Sequence, residues 1–168
     1  MNILKDLENE ILNQNLCRID FRKDKSLFLG IGNRIYSTAE NRCVSFYGEW
    51  EIGTYNSSWR IIKDNKICLA SESDIVKESY KEIVIDKIIT LLQIQEITPF
   101  DLRFIFSDGL IIDFFNCYCD DDEMIHVLKN DGTWWEKDFC GIWHKGLSSS
   151  KKQWFIYVSI SITEEQKN

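Results

Sequence analysis

The chain has one proline, eight glycines and two histidines in 168 residues, and it contains no apolar run long enough to cross a bilayer. So little proline and glycine leaves no composition shift of the kind that marks a linker. Residues 1–168 are therefore expected to form a single domain, at a size where one chain normally builds one core. There is no G-x-S-x-G elbow, no H-E-x-x-H pair, no Walker loop and no G-x-G-x-x-G; "GIGNR" at 30–34 lacks the third glycine and leads into no helical pattern. With so few histidines and no glycine-rich cradle for phosphate, neither an enzyme nor a cofactor is expected. Basic charge is also short: 20 Lys plus Arg stand against 27 Asp plus Glu, a net charge of −7. Such a field repels nucleic acid and anionic membranes, excludes both as partners, and attracts cationic proteins.

The opening "MNILKDLENEILNQNL" places Lys5, Asp6, Glu8 and Glu10 among its apolar residues, which rules it out as the core of a secretory signal. A cytoplasmic location is the resulting expectation. Cys17, Cys43, Cys68, Cys117, Cys119 and Cys140 are then reduced thiols.

What is present is a globular composition, 44% hydrophobic and 13% aromatic, with strong local patterning. Ile3, Leu4, Leu7, Ile11 and Leu12 fall on one helical stripe, so residues 2–15 read as an amphipathic helix. Beyond it the period changes to two in "CRIDFR", "SLFLGIG" and "RCVSFYGEWEIG". Asp64-Asn65, Ser107-Asp108-Gly109 and Asn130-Asp131-Gly132 each separate two apolar runs and supply residues that tolerate tight turns, which predicts three hairpins. The segment "SDIVKESYKEIVIDKIITLLQIQEIT" reads as a helix to about Ile85 and a strand after it. "QWFIYVSISIT" alternates as a half-buried strand near the end of the chain. The fold class expected is α+β: a curved or partly closed antiparallel sheet with an N-terminal helix and one middle helix.

Cys117, Cys119, His126, Cys140 and His144 have the chemistry of zinc ligands but not the spacing of a C-x2-C knuckle, and no metal is expected. Cys140 with His144 is the one local pair that resembles a nucleophile and its base, and nothing else supports that role. The run Asp120, Asp121, Asp122 and Glu123 lacks the alternate spacing of a calcium loop, which leaves a solvated loop or a protein contact. Trp50, Trp59, Trp143 and Trp154 sit in alternating runs and read as core. Trp134 and Trp135 must point to opposite faces of a strand, which places at least one near the surface. Asp120 to Glu123 with Trp134 and Trp135 are the candidate partner-binding residues.

Three elements occur in a suggestive order: "EWEIGTYNSSWRIIKDNKICLASESD", then "KIITLLQIQEITPFDLRFIFSDGLIIDFF", then the acid-led strand "DDDEMIHVLKNDG". With its W-R-I element, its S-x-D and its D-L-x-F-x-F-x-D-G hairpin, the chain resembles over about residues 44–132 a group of small bacterial domains found among the immunity proteins of polymorphic toxin and contact-dependent growth inhibition systems. The resemblance implies a cytoplasmic protein that binds and neutralises a cognate toxin C-terminal domain, and it carries over no catalytic residue. The acidic balance fits a basic, nuclease-type toxin, because opposite fields speed capture. The competing readings are a small ligand- or metal-binding β-rich domain and a housekeeping protein-interaction module.

Overall fold

A computed structural model describes residues 2–22, 24–36, 46–54, 57–73, 81–117 and 123–148, excepting the side chains of residues 81–84, 86 and 123. It opens with helix α1 (Ile3–Ile11), where the Asn2 side chain caps the first turn by accepting from the Lys5 N–H at 3.2 Å. Asn13, at φ 65°, takes the left-handed turn that ends the helical path well short of residue 15. Leu7 and Ile11 are fully buried, and Ile3, Leu4 and Leu12 pack against the same core.

Thirteen strands follow among the described residues: β1 (Asn15–Phe21), β2 (Leu27–Ile31), β3 (Ile35–Tyr36), β4 (Phe46–Tyr47), β5 (Trp50–Thr54), β6 (Ser57–Lys63), β7 (Lys66–Ala70), β8 (Lys81–Glu96), β9 (Leu102–Phe106), β10 (Leu110–Asn116), β11 (Glu123–Lys129), β12 (Thr133–Asp138) and β13 (Trp143–Leu147). Eleven form one sheet in the order β13-β12-β11-β5-β2-β1-β8-β9-β10-β6-β7, and β3 pairs with β4 apart from it. All three expected hairpins are present. Asp64-Asn65 joins β6 to β7 and Asp108-Gly109 joins β9 to β10, each pair with two successive positive φ values, the turn whose twist matches flanking strands. Gly132, also at positive φ, closes the turn between β11 and β12.

The expected middle helix is not found among the described residues, where α1 is the only helix. Residues 74–80 lie outside the described residues, while Lys81 to Ile85 begin β8, with Lys81 to Val84 paired to Phe21 through Arg18 of β1. The reason is visible in "EIVIDKIIT". Ile83, Val84, Ile85, Ile88, Ile89 and Thr90 are β-branched, and the edge of β1 offers them a ladder, which together outweigh a helical spacing of apolar residues.

At 16 residues β8 is long enough to serve two partners. Its first part pairs with β1 and its last six residues with β9, so it joins the two halves of the sheet. The halves face one another across a single core: Phe21 of β1 and Trp59 of β6 lie four places apart in strand order, yet their rings are 5.6 Å apart. The sheet, expected to be curved or partly closed, folds over without closing, with β13 and β7 as its edges among the described residues. Trp50 and Trp59 are core residues as expected and Trp143 packs against the core; Trp154 and the alternating run around it lie outside the described residues. No helix among the described residues is long and apolar enough to cross a membrane.

Candidate partner-binding site

Three chain connections meet at one end of the folded sheet. The first is the β8–β9 turn, residues 97–101, which contains the only proline. Here Thr98 Oγ1 accepts from the Phe100 and Asp101 N–H groups at 3.1 Å each and donates to Asp101 Oδ2 at 2.9 Å, while Asp101 Oδ1 accepts from the Asn116 N–H at 3.1 Å. The second is the β12–β13 turn, residues 139–142, closed by hydrogen bonds from the Gly141 N–H to the Asp138 carbonyl (3.0 Å) and from the Ile142 N–H to Asp138 Oδ1 (2.8 Å). The third is the β10–β11 connection. Its ends are fixed here: Asn116 Nδ2 donates to the Phe139 carbonyl at 3.1 Å, and Glu123 pairs with Asp138.

A buried cation locks the first two turns together. Lys137 is fully excluded from solvent, and its Nζ lies 2.6 Å from Glu96 Oε1, 3.1 Å from the Gly141 carbonyl and 5.3 Å from the centre of the Trp143 ring. Trp143 Nε1 donates to the same Glu96 oxygen at 3.2 Å. Gly141, at φ +79°, brings its backbone so close to the Pro99 carbonyl that a side chain there would strike it. Ile97, Phe100 and Ile142 nevertheless stay 44%, 46% and 57% exposed, and Cys117 and Cys140 are exposed as well.

The acidic candidates divide. Asp120, Asp121 and Asp122 lie outside the described residues; Glu123 opens β11, and its backbone is held against Asp138. Of the acidic run, Glu123 alone is thereby placed at this end of the sheet. The tryptophans do not join it. Trp135 is buried on the inner face, where its Nε1 donates to Asp6 Oδ2 of α1 at 3.2 Å. Trp134 is half-buried on the opposite face, its ring lying over Gly146. It sits four residues along β12 from Asp138, about 13 Å away at strand rise.

Of the Cys and His candidates, Cys117 and Cys140 lie at this end and Cys119 lies outside the described residues. His126 is buried in β11 beside Phe28, with ring centres 6.0 Å apart, while His144 Nε2 is 2.8 Å from Asp138 Oδ2. Burial raises the Asp138 carboxyl, but His144 and the N–H groups of Ile142 and Cys140 lower it further, so it stays below the ordinary aspartate value. Among the described residues no three His, Cys, Asp or Glu side chains converge as metal ligands.

Lys137, Ile97, Phe100 and Ile142 were not singled out in the sequence. One signal was available: the only proline lies between Ile97 and Phe100, apolar residues in a turn where polar ones are the norm. No family model, curated protein or solved structure matches this chain.

Proposed function

We propose that the chain is a cytoplasmic immunity protein that binds and neutralises a cognate toxin domain whose own surface is basic, as a nuclease's is. One observation carries this reading, the segregation of charge. The connections at the candidate end, residues 97–101, 117–123 and 138–142, contain Asp101, Asp120, Asp121, Asp122, Glu123 and Asp138 and no lysine or arginine, and the cation beneath them, Lys137, is buried and paired with Glu96. An end of one sign concentrates a partner of the other and speeds its capture. The resemblance over residues 44–132 supports the toxin as that partner. Neutralisation is then by occupancy and requires no reacting group.

The test is co-expression with the protein encoded by the adjacent upstream reading frame. The reading expects restored growth and recovery of the two chains as one complex. Toxicity that persists with both proteins present and folded would refute it.

A further inference from the structure

Strands β9, β10, β6 and β7 lie side by side, and their register sets four isoleucines in one row: Ile105 is opposite Ile111, Ile111 opposite Ile62, and Ile62 opposite Ile67. Directly opposed residues of antiparallel strands share a face. The row beside it holds Arg103, Asp113 and Arg60, likewise opposed and joined by ion pairs at 2.7 and 2.8 Å, and the Arg60 guanidinium also lies 4.9 Å from the centre of the Phe115 ring. The alternate residues of these strands, among them Phe104, Ile112 and Ile61, build the core, so the isoleucine row stands on the other side of the sheet. Ile67 is 61% exposed and the other three are half-buried. The solvent side of an antiparallel sheet normally carries polar residues, and an apolar row four strands wide marks an interaction surface where single exposed side chains would not.

Charge selects the occupant. Arg60, Ile62 and the turn residue Asp64 follow one another at two-residue steps as cation, apolar, anion, and Asp64 Oδ1 lies within 3.3 Å of where a Gly109 side chain would begin, at the hairpin end of the row. A two-fold axis laid along the isoleucine row sets each isoleucine against its own copy and exchanges positions 60 and 64, which brings Arg60 of each chain toward Asp64 of the other. Lys63 falls on the alternate side of β6 and is already paired with Asp108 at 2.7 Å. An acidic partner or an anionic membrane would suit the arginines but meet Asp64 with like charge, whereas a second copy satisfies both signs.

We propose that this face is a dimer interface, in which two copies pack sheet against sheet through Ile105, Ile111, Ile62 and Ile67 about that two-fold axis. The inference goes beyond the partner-binding reading and does not depend on it. The same operation carries the two 97–101 turns to opposite ends of the pair, which leaves both candidate ends open. Four strands by seven residues cover about 20 by 20 Å, small for a specific interface, so a dimer that dissociates at micromolar concentration is expected.

Sedimentation equilibrium of the full chain from about 1 to 300 µM tests this. A reversible monomer–dimer equilibrium is expected in the wild type. Ile62→Lys and Ile67→Lys each set a lysine against its own copy and should leave only monomer, with unfolding midpoints near wild type; the exposure of Ile67 keeps the second variant informative if the first does not fold. Asp64→Asn, which suits the φ of 50° at that position, removes two symmetry-related ion pairs and should raise the dissociation constant about fivefold. Leu147→Lys, at an exposed leucine of the β13 edge, should change nothing. A wild type that is monomeric throughout, a dimer that persists in Ile67→Lys, or one lost in Leu147→Lys would overturn the proposal. A dimer as tight in Asp64→Asn as in the wild type would overturn the two-fold arrangement.

Discussion

Lys137 Nζ lies 2.6 Å from Glu96 Oε1, and this contact ties β12 of one half of the folded sheet to the end of β8, where the other half begins. The two partners are unequally exposed: Lys137 is fully buried, whereas 41% of the Glu96 side chain is exposed. Removing the carboxylate therefore strands a charge in the interior, and removing the lysine leaves a carboxylate that water reaches. Glu96→Ala is expected to cost about 3 kcal/mol and Lys137→Met, which keeps the packing, about 1 kcal/mol. Urea unfolding measures both, and the reverse order would contradict the assignment of Lys137 as the buried member.

Asp113 of β10 is fully buried between Arg103 of β9, which reaches both carboxylate oxygens at 2.7 and 3.0 Å, and Arg60 of β6 at 2.8 Å. Burial raises this carboxyl, and the two guanidinium groups lower it further, leaving it below the ordinary aspartate value. Asp6, Asp108, Asp131 and Asp138 are shifted the same way. The stability that such groups add is complete above about pH 4 and is lost as pH falls through their folded values. Asp113→Asn is expected to cost about 2 kcal/mol at neutral pH, because the arginines it leaves are partly hydrated. It should also make the acid limb of a stability profile shallower, and an acid limb as steep as that of the wild type would count against this triad.

Glu51 runs in the opposite sense. Burial pushes its carboxyl up to about 6 despite the Arg18 guanidinium that pairs with it and the Gly48 N–H 2.5 Å away; Asp20 raises it further, and Cys17 lies within its field. A carboxyl raised on folding holds a proton that the unfolded chain releases, so its contribution is largest below the ordinary glutamate value and disappears as pH rises through about 6. The wild type should gain about 1 kcal/mol between about pH 7 and pH 5, and Glu51→Gln should show no such slope. A slope of the same size in the variant would assign it to another group.

Thiol chemistry separates the cysteines. Cys17 is buried, and burial pushes its thiol up to about 11, with the Glu51 charge adding to the effect. Cys68, Cys117 and Cys140 are exposed. Iodoacetamide applied to the native protein, followed by peptide mass mapping, should label these three and spare Cys17 until denaturant is added. Labelling of Cys17 at the rate of Cys68 would mean that β1 opens readily.

Much of the fold was legible because its signals are local. Alternation and turn residues located the hairpins through Asp64-Asn65, Ser107-Gly109 and Asn130-Gly132, and a five-residue stripe located α1. The start of β8 was not legible, because a run such as "EIVIDKIIT" satisfies both periods until the edge of β1 is known to be available. Lys137 illustrates the same limit: it reads as a surface charge on a strand, and only the folding of β8 toward β12 supplies Glu96 and a reason to bury it. At the candidate site, composition exposed the acidic run, whereas the meeting of the 97–101 and 139–142 turns depends on Lys137 and Gly141, which no local pattern places there.

The central claim, capture of a basic toxin by the acidic end, is tested most directly by its association rate. The variant carrying Asp120→Asn, Asp121→Asn, Asp122→Asn and Glu123→Gln keeps side-chain size and removes the charge. Stopped-flow capture of the toxin, measured from low salt to about 150 mM, where exposed charges are screened over about 8 Å, compares the two proteins. A wild-type rate that falls steeply with salt, and a variant that starts slower and falls less, is the predicted result. Equal rates and equal salt dependence for the two proteins, with the complex confirmed, would contradict it.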